Sequence, residues 1–543
     1  MVTNNQKLLL VQGPPGTGKS YTLAWALLHR LYQAWQQGAA CAVAVACFTH
    51  SASRVVLNQL ADRCRALSKF IPDFPSIPIY KIGDSDQNQE LTDQVQTFDP
   101  YQIDSGNTLP NLLAANRVII FGGTSAGFYN LARSATTGKQ PNWKKKYFDL
   151  LAIDEASQMS LPYALLSAAW LKPEGEMVVV GDPRQMPPIH KHNWQKELRP
   201  TAIYQQPYHS LFEALQERGL APIGLDRSFR LHRTVAQFLA QRIYLKDGIN
   251  FYSERTEVIP AIKTDDAYLQ AVMNPDYPLV VVEHQEQKSE QYNPMEIQLL
   301  TPIIEACLDQ LNLNDANGIG VVVPHRAQRA ELRRQFPQLY TAIDTVERFQ
   351  GGQREVIIVS ATASDPDYVQ QESEFILNLN RLNVALSRAE KKLIVIASTS
   401  LGQLLTNDIE MLPNIDFWQQ LFNGYAKTTL WQGRKNEVLV AGKDKELIKN
   451  GDIVSTRATP EAKDKISIIL AELKAAQRVQ EEFEEDLEKE ELETEVISDD
   501  GAIAAVDDSD EVLVESMVDE LGDLLEIDEE VPEEADGDSG GVI

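Results

Sequence analysis

The chain has 543 residues, 43% of them hydrophobic, so at about 150 residues per domain it predicts three or four structural units with real cores. The net charge of −28 is concentrated at one end: residues 481–543 hold 28 of the 78 acidic residues and one of the 50 basic ones, so the rest is nearly neutral. The four cysteines include no Cys-x-x-Cys pair, which argues against a zinc knuckle or a disulfide framework.

The first residues, MVTNNQ, are polar, and the longest apolar run, at 39–48, is half the roughly 20 residues that a membrane span needs. We therefore expect no signal peptide and no membrane partner. Together with the cysteine usage, this predicts a cytoplasmic protein, in the nucleoid if bacterial, with a nuclear location left open.

Short β-branched runs alternate with helical patterns along two stretches, which predicts parallel sheets flanked by helices. The runs are apolar throughout, as expected of strands covered on both faces. They lie at 7–11, 42–48, 117–121, 148–153 and 177–180, and again at 278–284, 319–324, 355–361 and 392–398. Segments 21–35 and 295–311 predict covering helices. The sequence thus predicts an α/β fold with two domains, 1–222 and 223–405.

Three segments do not follow this alternation. Residues 68–112, rich in proline and polar side chains, predict a surface insertion. Residues 406–460 form a small C-terminal region of unknown fold, with fragments of strand at 428–432 and 437–442. Residues 461–543 predict a charged helix, to about 496, and then an acidic, largely disordered tail in which 511–527 has apolar residues at helical spacing.

The stretch GPPGTGKS has the spacing of a phosphate-binding loop, and it lies between a predicted strand and a predicted helix. Its glycines let backbone N–H groups approach the phosphates, Lys19 reaches the β and γ oxygens, and the Ser20 hydroxyl binds Mg²⁺. We therefore expect the nucleotide to be held by Gly13, Pro14, Pro15, Gly16, Thr17, Gly18, Lys19 and Ser20.

A carboxylate pair ends the strand in FDLLAIDEAS, at 148–157. Asp154 is expected to hold Mg²⁺ with Ser20, directly or through water, and Glu155 to orient and polarise the attacking water. Alone, such a pair is usually a solvated turn. Beside a phosphate loop it indicates an NTPase.

The stretch GDPRQMPPI, at 181–189, follows a valine-rich strand, and Pro183, Pro187 and Pro188 predict a stiff turn. The carboxyl ends of neighbouring parallel strands share one crevice. Gln185 is therefore expected to sense the γ-phosphate.

Taken in order, GPPGTGKS, DEAS, GDPRQMPP, LDRSFR, VERFQGGQREVIIVS and RLNVALSRA resemble the motifs of superfamily 1 helicases, in the branch that includes the nonsense-mediated-decay RNA helicase and senataxin. The resemblance covers about residues 6–400. It implies two tandem RecA-like P-loop NTPase domains with ATP and Mg²⁺ between them, acting as a helicase or translocase on single-stranded DNA or RNA.

The same resemblance assigns roles to individual side chains. It makes Gln185 the coupling glutamine, and Arg230 and Arg388 two arginine fingers from the second domain. Phe229 stands where the family stacks an aromatic ring on the base, and Gln353 where a glutamate commonly meets the ribose. The catalytic residues it implies are Lys19, Glu155, Gln185, Arg230 and Arg388.

The nucleic-acid contacts implied by the resemblance lie in loops that follow strands. Each residue alone is more typical of an ordinary polar loop, but together they predict a track on one face. The candidates are Thr49, Thr124, His325, Arg326 and Thr345.

Several alternatives stay open. Gln353 can accept and donate, so its departure from the family pattern bears on sugar discrimination and not on catalysis. The family carries a base-reading glutamine upstream of the phosphate loop and an accessory β-barrel, whereas 12 residues precede Gly13. Either the chain is a fragment of a larger multidomain nuclease-helicase, or it selects loosely among nucleotides.

The 115 residues from Arg230 to Thr345 leave no room for a large inserted subdomain, so the resemblance implies movement from 5′ to 3′. The alternative function is a nucleic-acid-stimulated ATPase switch or remodelling factor that does not unwind. The acidic tail is either a solvated segment that docks a protein partner or a polyanion that masks the chain's own nucleic-acid groove.

Overall fold

The computed structural model describes residues 7–83, 91–101, 108–136, 140–189, 208–316, 318–349, 352–404, 411–425, 428–434 and 453–458. Residues 1–461 form one compact unit. The predicted charged helix and acidic tail lie outside the described residues, and so does the strand fragment at 437–442.

An eight-stranded parallel sheet forms the core of the first domain. Its strands, in spatial order, are β4 (Val95–Phe98), β3 (Ile79–Ile82), β5 (Val118–Gly123), β2 (Cys41–Cys47), β6 (Phe148–Asp154), β7 (Leu171–Gly181), β1 (Leu8–Gln12) and β8 (Ile223–Gly224). The helices described beside them are α1 (Lys19–Gln36), α2 (His50–Phe70), α3 (Leu109–Ala115), α4 (Ser125–Ser134), α5 (Leu161–Ala168) and α6 (Leu211–Glu217).

Both faces of this sheet are covered by apolar side chains. Successive side chains of a strand point to opposite faces, and Leu10 and Val11 of β1 accordingly belong to two different hydrophobic clusters. This explains why β1, β2, β5 and β6 contain continuous apolar runs instead of alternating apolar and polar residues.

The second domain is built on a seven-stranded sheet. In spatial order its strands are β13 (Ile343–Thr345), β12 (Ile319–Val323), β14 (Arg354–Ser360), β15 (Ala389–Ser398), β11 (Leu279–His284), β17 (Ile453–Ala458) and β16 (Thr428–Arg434). The first five are parallel, and β17 and β16 are added antiparallel at the β11 edge. Val280 and Val281 lie in separate core clusters, so both faces are again covered.

Helices and a small ribbon complete the second domain. The described helices are α7 (Arg233–Arg242), α8 (Ala267–Val272), α9 (Pro294–Asp309), α10 (Arg326–Gln335), α11 (Pro366–Gln371), α12 (Ser373–Ile376), α13 (Leu379–Leu386), α14 (Ser400–Gln403) and α15 (Leu412–Gln419). Short 3₁₀ turns span Tyr244–Asp247 and Pro337–Leu339, and a π-helical turn spans Gln420–Tyr425. A two-stranded ribbon joins β9 (Arg227–His232) to β10 (Tyr252–Arg255).

The predicted α/β fold with two parallel sheets is confirmed. Two details differ from the sequence-based expectation. Residues 79–82 and 95–98, expected within a surface insertion, form β3 and β4 at one edge of the first sheet. The strand fragment expected at 428–432, whose place in the fold the sequence left open, is β16 and extends the second sheet.

The predicted domain boundary near 222 lies immediately before β8, which still pairs with β1 of the first sheet. Within the described part of the chain, no helix is both long and apolar enough to cross a membrane.

Candidate nucleotide and coupling site

Three predicted motifs meet because their strands are neighbours. Strands β6, β7 and β1 are parallel neighbours. The loops that follow Asp154, Gly181 and Gln12 therefore all leave the sheet at the carboxyl ends of its strands. The Gly13 N–H donates to the Gly181 carbonyl at 3.0 Å, and the Ala156 N–H donates to the Val180 carbonyl at 2.9 Å. The shared crevice expected from the sequence is therefore present.

The phosphate loop is held in shape from within. The Thr17 hydroxyl donates to the Pro14 carbonyl at 2.8 Å, and Lys19 Nζ donates to the Gly13 carbonyl at 2.8 Å. Gly16 and Gly18 have φ values of +75° and +77°, in the left-handed region that favours glycine. Gly18 caps the N-terminus of α1, where unpaired backbone N–H groups suit an anion. The loop is thus built to receive phosphate.

Ser20 and Asp154 are brought together by the fold. Ser20 Oγ donates to Asp154 Oδ2 at 2.7 Å. Burial, and next the neighbouring Glu155 charge, raise the pKa of the Asp154 carboxyl to about 6. A bound cation would oppose that effect, and a hydroxyl with a carboxylate is the hard oxygen donor set that Mg²⁺ prefers. Among the described residues no group of three or more His, Cys, Asp and Glu side chains could hold a metal ion.

Glu155 has an unusual backbone. Its φ is +54°, which costs a non-glycine residue about 1–3 kcal/mol and is found mostly at functional sites. Its Oε2 accepts a hydrogen bond from Gln158 Nε2 at 3.3 Å. The strained turn places this carboxylate next to the predicted metal ligand Asp154, where a group that orients water would be needed.

The GDPRQ loop is anchored by the buried Asp182. Asp182 Oδ1 accepts from the Arg184 N–H at 3.1 Å, and Oδ2 accepts from Gln185 Nε2 at 2.8 Å. Gln185 is 4% exposed. The turn predicted from the prolines therefore fixes one side chain, the Gln185 amide, in a single orientation.

Arg388 contacts that amide from the second domain. Its Nη2 donates to Gln185 Oε1 at 3.2 Å, and its Nε donates to the Val384 carbonyl at 3.0 Å. Burial, followed by the nearby Arg230 charge, lowers the pKa of Arg388 to about 9, so the guanidinium is still charged at neutral pH. The predicted finger and the predicted coupling residue are in direct contact.

Arg230 is carried to the phosphate loop by β9. Ser228 Oγ donates to the Pro15 carbonyl at 3.0 Å, and the Phe229 N–H donates to the Gly16 carbonyl at 2.8 Å. These two bonds join the β9 segment to the loop itself.

The Arg230 guanidinium is held within the second domain. Its Nε donates to Gln353 Oε1 at 3.0 Å, and its Nη1 donates to the Ser387 carbonyl at 3.4 Å. Burial lowers its pKa, against the opposing charges of Glu390 and Glu155. Gln353, predicted to meet the ribose, here positions an arginine.

Phe229 is presented to solvent. Its ring is 61% exposed, and the Arg227 guanidinium lies 5.1 Å from the ring centroid. The ring belongs to a polar-rimmed pocket of about 270 Å³ lined by Arg227, Ser228, Phe229, Glu254, Arg255, Thr256 and Glu257. An exposed aromatic face beside the phosphate loop suits the stacking expected of it.

The predicted nucleic-acid residues lie where neighbouring strands end. Thr49 and Thr124 follow the paired strands β2 and β5, and each caps a helix by accepting a backbone N–H, at 3.1 and 3.2 Å. Arg326 is exposed at the start of α10, and Thr345 ends β13, beside β12. His325 differs: it is 8% exposed, between the rings of Tyr368 and Phe375, and burial lowers its pKa to about 4. Its side chain faces the protein.

Some residues of the site were not singled out from the sequence. Tyr244, Asp247 and Asn383 contact the GDPRQ loop from the second domain: Tyr244 OH donates to Asp182, Asp247 pairs with Arg184, and Asn383 Nδ2 donates to the Arg184 carbonyl at 2.7 Å. Only Asn383 lay inside a recognised motif, RLNVALSRA, which could have indicated it.

Comparison with known proteins follows the same division. A family model described as an AAA domain matches residues 1–191, and a second with that description matches residues 208–400. Among curated proteins, the DNA replication ATP-dependent helicase/nuclease DNA2 of Xenopus laevis is 26% identical, over 71% of this chain and 35% of its own length. The ATP-dependent helicase upf1 of Schizosaccharomyces pombe is 26% identical, over 73% of this chain and 43% of its own length.

The helicase sen1 of the same yeast is 28% identical, over 50% of this chain and 15% of its own length. Among solved structures, Arterivirus nonstructural protein 10 (helicase) with DNA matches at a TM-score of 0.34 and 14% identity, over 71% of this chain and 60% of that one. The chain spans about a third of the length of the DNA2 relatives that it matches.

Proposed function

The chain belongs to the superfamily 1 helicases, and from that membership we propose that it is an ATP-dependent helicase or translocase acting on single-stranded nucleic acid. The substrate strand is DNA or RNA, and the direction of movement is 5′ to 3′. The curated relatives named above carry the word helicase in their names, and those named DNA2 and upf1 are called ATP-dependent.

One observation carries the proposal: Arg388 Nη2 of the second domain donates to Gln185 Oε1 of the first, at 3.2 Å. Gln185 is thereby bonded both to Asp182 in its own loop and to the opposite domain. A change at the nucleotide that moves this amide must change the contact between the domains. That linkage is what converts hydrolysis into movement.

The residues that would carry hydrolysis divide the work. Lys19 and the backbone N–H groups of the loop hold the phosphates, and Glu155 orients the attacking water. Ser20 and Asp154 would hold Mg²⁺, which supplies charge neutralisation at the phosphoryl group when bound. Arg230 and Arg388 stabilise negative charge from the second domain, so closure of the two domains completes the site.

The strand-binding surface is proposed from the loops that follow β2, β5, β12 and β13. Thr49 and Thr124 keep their hydroxyl hydrogens for a phosphate oxygen, because each oxygen serves its helix cap only as an acceptor. Arg326 supplies an exposed cation at a helix N-terminus. We place the protein in the cytoplasm, or the nucleoid if bacterial, a proposal that the four free cysteines support.

Glu155→Gln tests the chemistry. The variant should keep ATP binding, because the phosphate loop is unchanged, and lose hydrolysis by about 100-fold or more. Glu174→Gln is the matched control, because Glu174 is an exposed carboxylate paired with Lys7, away from the loop. Hydrolysis by Glu155→Gln at the control's rate would refute the assignment.

A duplex with a single-stranded tail tests the motor. We expect a strand to stimulate ATP hydrolysis and a 5′ tail to support strand displacement. Robust strand-stimulated hydrolysis without displacement from either tail would favour the remodelling alternative. Hydrolysis that does not respond to a strand would contradict both.

A further inference from the structure

Tyr244 occupies the centre of the contact between the GDPRQ loop and the second domain. It begins the 3₁₀ turn Tyr244–Asp247 and is 0% exposed. Its hydroxyl donates to Asp182 Oδ2 at 2.8 Å and accepts from Asn383 Nδ2 at 2.7 Å. One oxygen atom thus joins the loop of the first domain to α13 of the second.

This hydroxyl belongs to a chain of hydrogen bonds from Asn383 to Arg388, which the backbone between these two residues closes into a ring. Asp182 Oδ2, which accepts from Tyr244, also accepts from Gln185 Nε2, and Gln185 Oε1 in turn accepts from Arg388 Nη2. Asn383 and Arg388 lie five positions apart, within α13 and just beyond its end. The ring therefore passes from the second domain to the first between Tyr244 and Asp182, and it returns between Gln185 and Arg388.

Burial and the Asp182 charge keep the Tyr244 phenol protonated. Burial, followed by the Asp182 charge, raises the pKa of Tyr244 well above its ordinary value. The phenol therefore donates throughout the physiological range, and its one proton is committed to Asp182. Buried networks of this kind couple their members more strongly than isolated pairs do.

The ring also fixes which end of the Gln185 amide faces which partner. Asp182 can only accept, so it holds Nε2, and Arg388 can only donate, so it holds Oε1. Without the Tyr244 hydroxyl, Asp182 loses a donor and Asn383 Nδ2 loses an acceptor, while the phosphate loop keeps all its own bonds.

We propose that Tyr244 is a positioning residue that sets the Gln185 amide and transmits its state to α13. The inference rests on the proposed function, because the transmitted signal is the state of the nucleotide. Tyr244 does not touch the substrate in this assignment. It acts through Asp182 on one side and Asn383 on the other.

Tyr244→Phe removes only the hydroxyl and keeps the ring that packs against Phe251, at a centroid distance of 5.0 Å. We expect the kcat of strand-stimulated hydrolysis to fall about tenfold, the size of coupling typical within one network, with KM for ATP nearly unchanged. Tyr268→Phe is the matched control, because Tyr268 is equally buried in the second domain and its hydroxyl donates to the Leu299 carbonyl. Tyr268→Phe should lower Tm by about as much as Tyr244→Phe does, and it should leave kcat unchanged.

Combination with Gln185→Ala separates positioning from a general loss of structure. If Tyr244 acts through Gln185, the double variant should have the kcat of Gln185→Ala alone. Losses that multiply, or a Tyr244→Phe variant as active as Tyr268→Phe, would overturn the inference. If a nucleic-acid strand does not stimulate hydrolysis by the wild-type enzyme, that result counts against the proposed function and not against the role of Tyr244. The unstimulated hydrolysis rates of the same four variants would then still decide the role of Tyr244.

Discussion

Gly16→Ala tests the close contact between the phosphate loop and Arg230. A Cβ at Gly16 would lie 2.5 Å from the Arg230 Cβ, 2.7 Å from Ser228 Oγ and 3.2 Å from the Arg230 backbone nitrogen. Carbon atoms pack at about 3.5–4.0 Å, so the β9 segment must retreat by about 1 Å. Cβ and backbone atoms cannot swing aside as the end of a long side chain can. The substitution therefore moves the predicted finger.

The size of the effect has two parts. Alanine in the left-handed region costs about 1–2 kcal/mol of stability. A misplacement of about 1 Å at a reacting group costs about 100-fold in rate, or about 2.7 kcal/mol of transition-state stabilisation. Gly38→Ala separates the backbone cost from the steric effect on Arg230. Gly38 has φ of +70°, but no atom of the described residues would lie within 4 Å of a Cβ added there.

Gly38→Ala should therefore show only the fall in Tm that the left-handed backbone causes, whereas Gly16→Ala should show at least that fall and also lose strand-stimulated kcat. The assay compares Tm, ATP affinity and stimulated hydrolysis for wild type and the two variants. Equal kcat in both variants would refute the steric argument. A loss of ATP affinity as large as the loss of kcat would place the damage in the phosphate loop and not at Arg230.

Two further predictions concern coupling and the tail. Gln185→Ala should lower strand-stimulated hydrolysis about tenfold while ATP affinity changes little. The reason is that, among the described residues, the Gln185 amide is hydrogen-bonded to Asp182 and Arg388 and not to the phosphate loop. Equal losses of hydrolysis and of ATP affinity would make Gln185 part of the nucleotide pocket only. Removal of residues 481–543 should leave ATP hydrolysis intact. If the tail masks the nucleic-acid groove, its removal should also raise the affinity for a single strand measured at low salt. Unchanged affinity would rule out masking.

The motifs indicated most of the candidate nucleotide site because each follows the apolar end of a strand, at 8–11, 150–153 and 177–180. Because the predicted strands are parallel, the sequence alone could place Ser20, Asp154 and Gln185 together at the carboxyl ends of the strands. Strands β3 and β4 could not, since each has four residues among prolines and polar side chains. β3 is held by its pairing with β5, and β4 by its pairing with β3.

Contacts between distant segments were equally hidden. Tyr244 meets Asp182 and Asn383 at separations of 62 and 139 residues along the chain. An isolated tyrosine at the end of a helix carries no periodic signal that would indicate such partners. The placement of His325 could not be foreseen either, because the rings that cover it come from residues 368 and 375.

The antiparallel pairing of β17 with β11 bears on how the protein can be shortened. A chain cut at residue 405, where the motifs suggest that the second domain ends, would leave the N–H and C=O groups of Leu279–His284 unpaired along one side. An apolar, uncovered sheet edge is a template for pairing between molecules. Such a fragment would keep every residue of the candidate nucleotide site and still be prone to aggregate, so a shortened chain should extend to at least residue 458 to keep this edge paired.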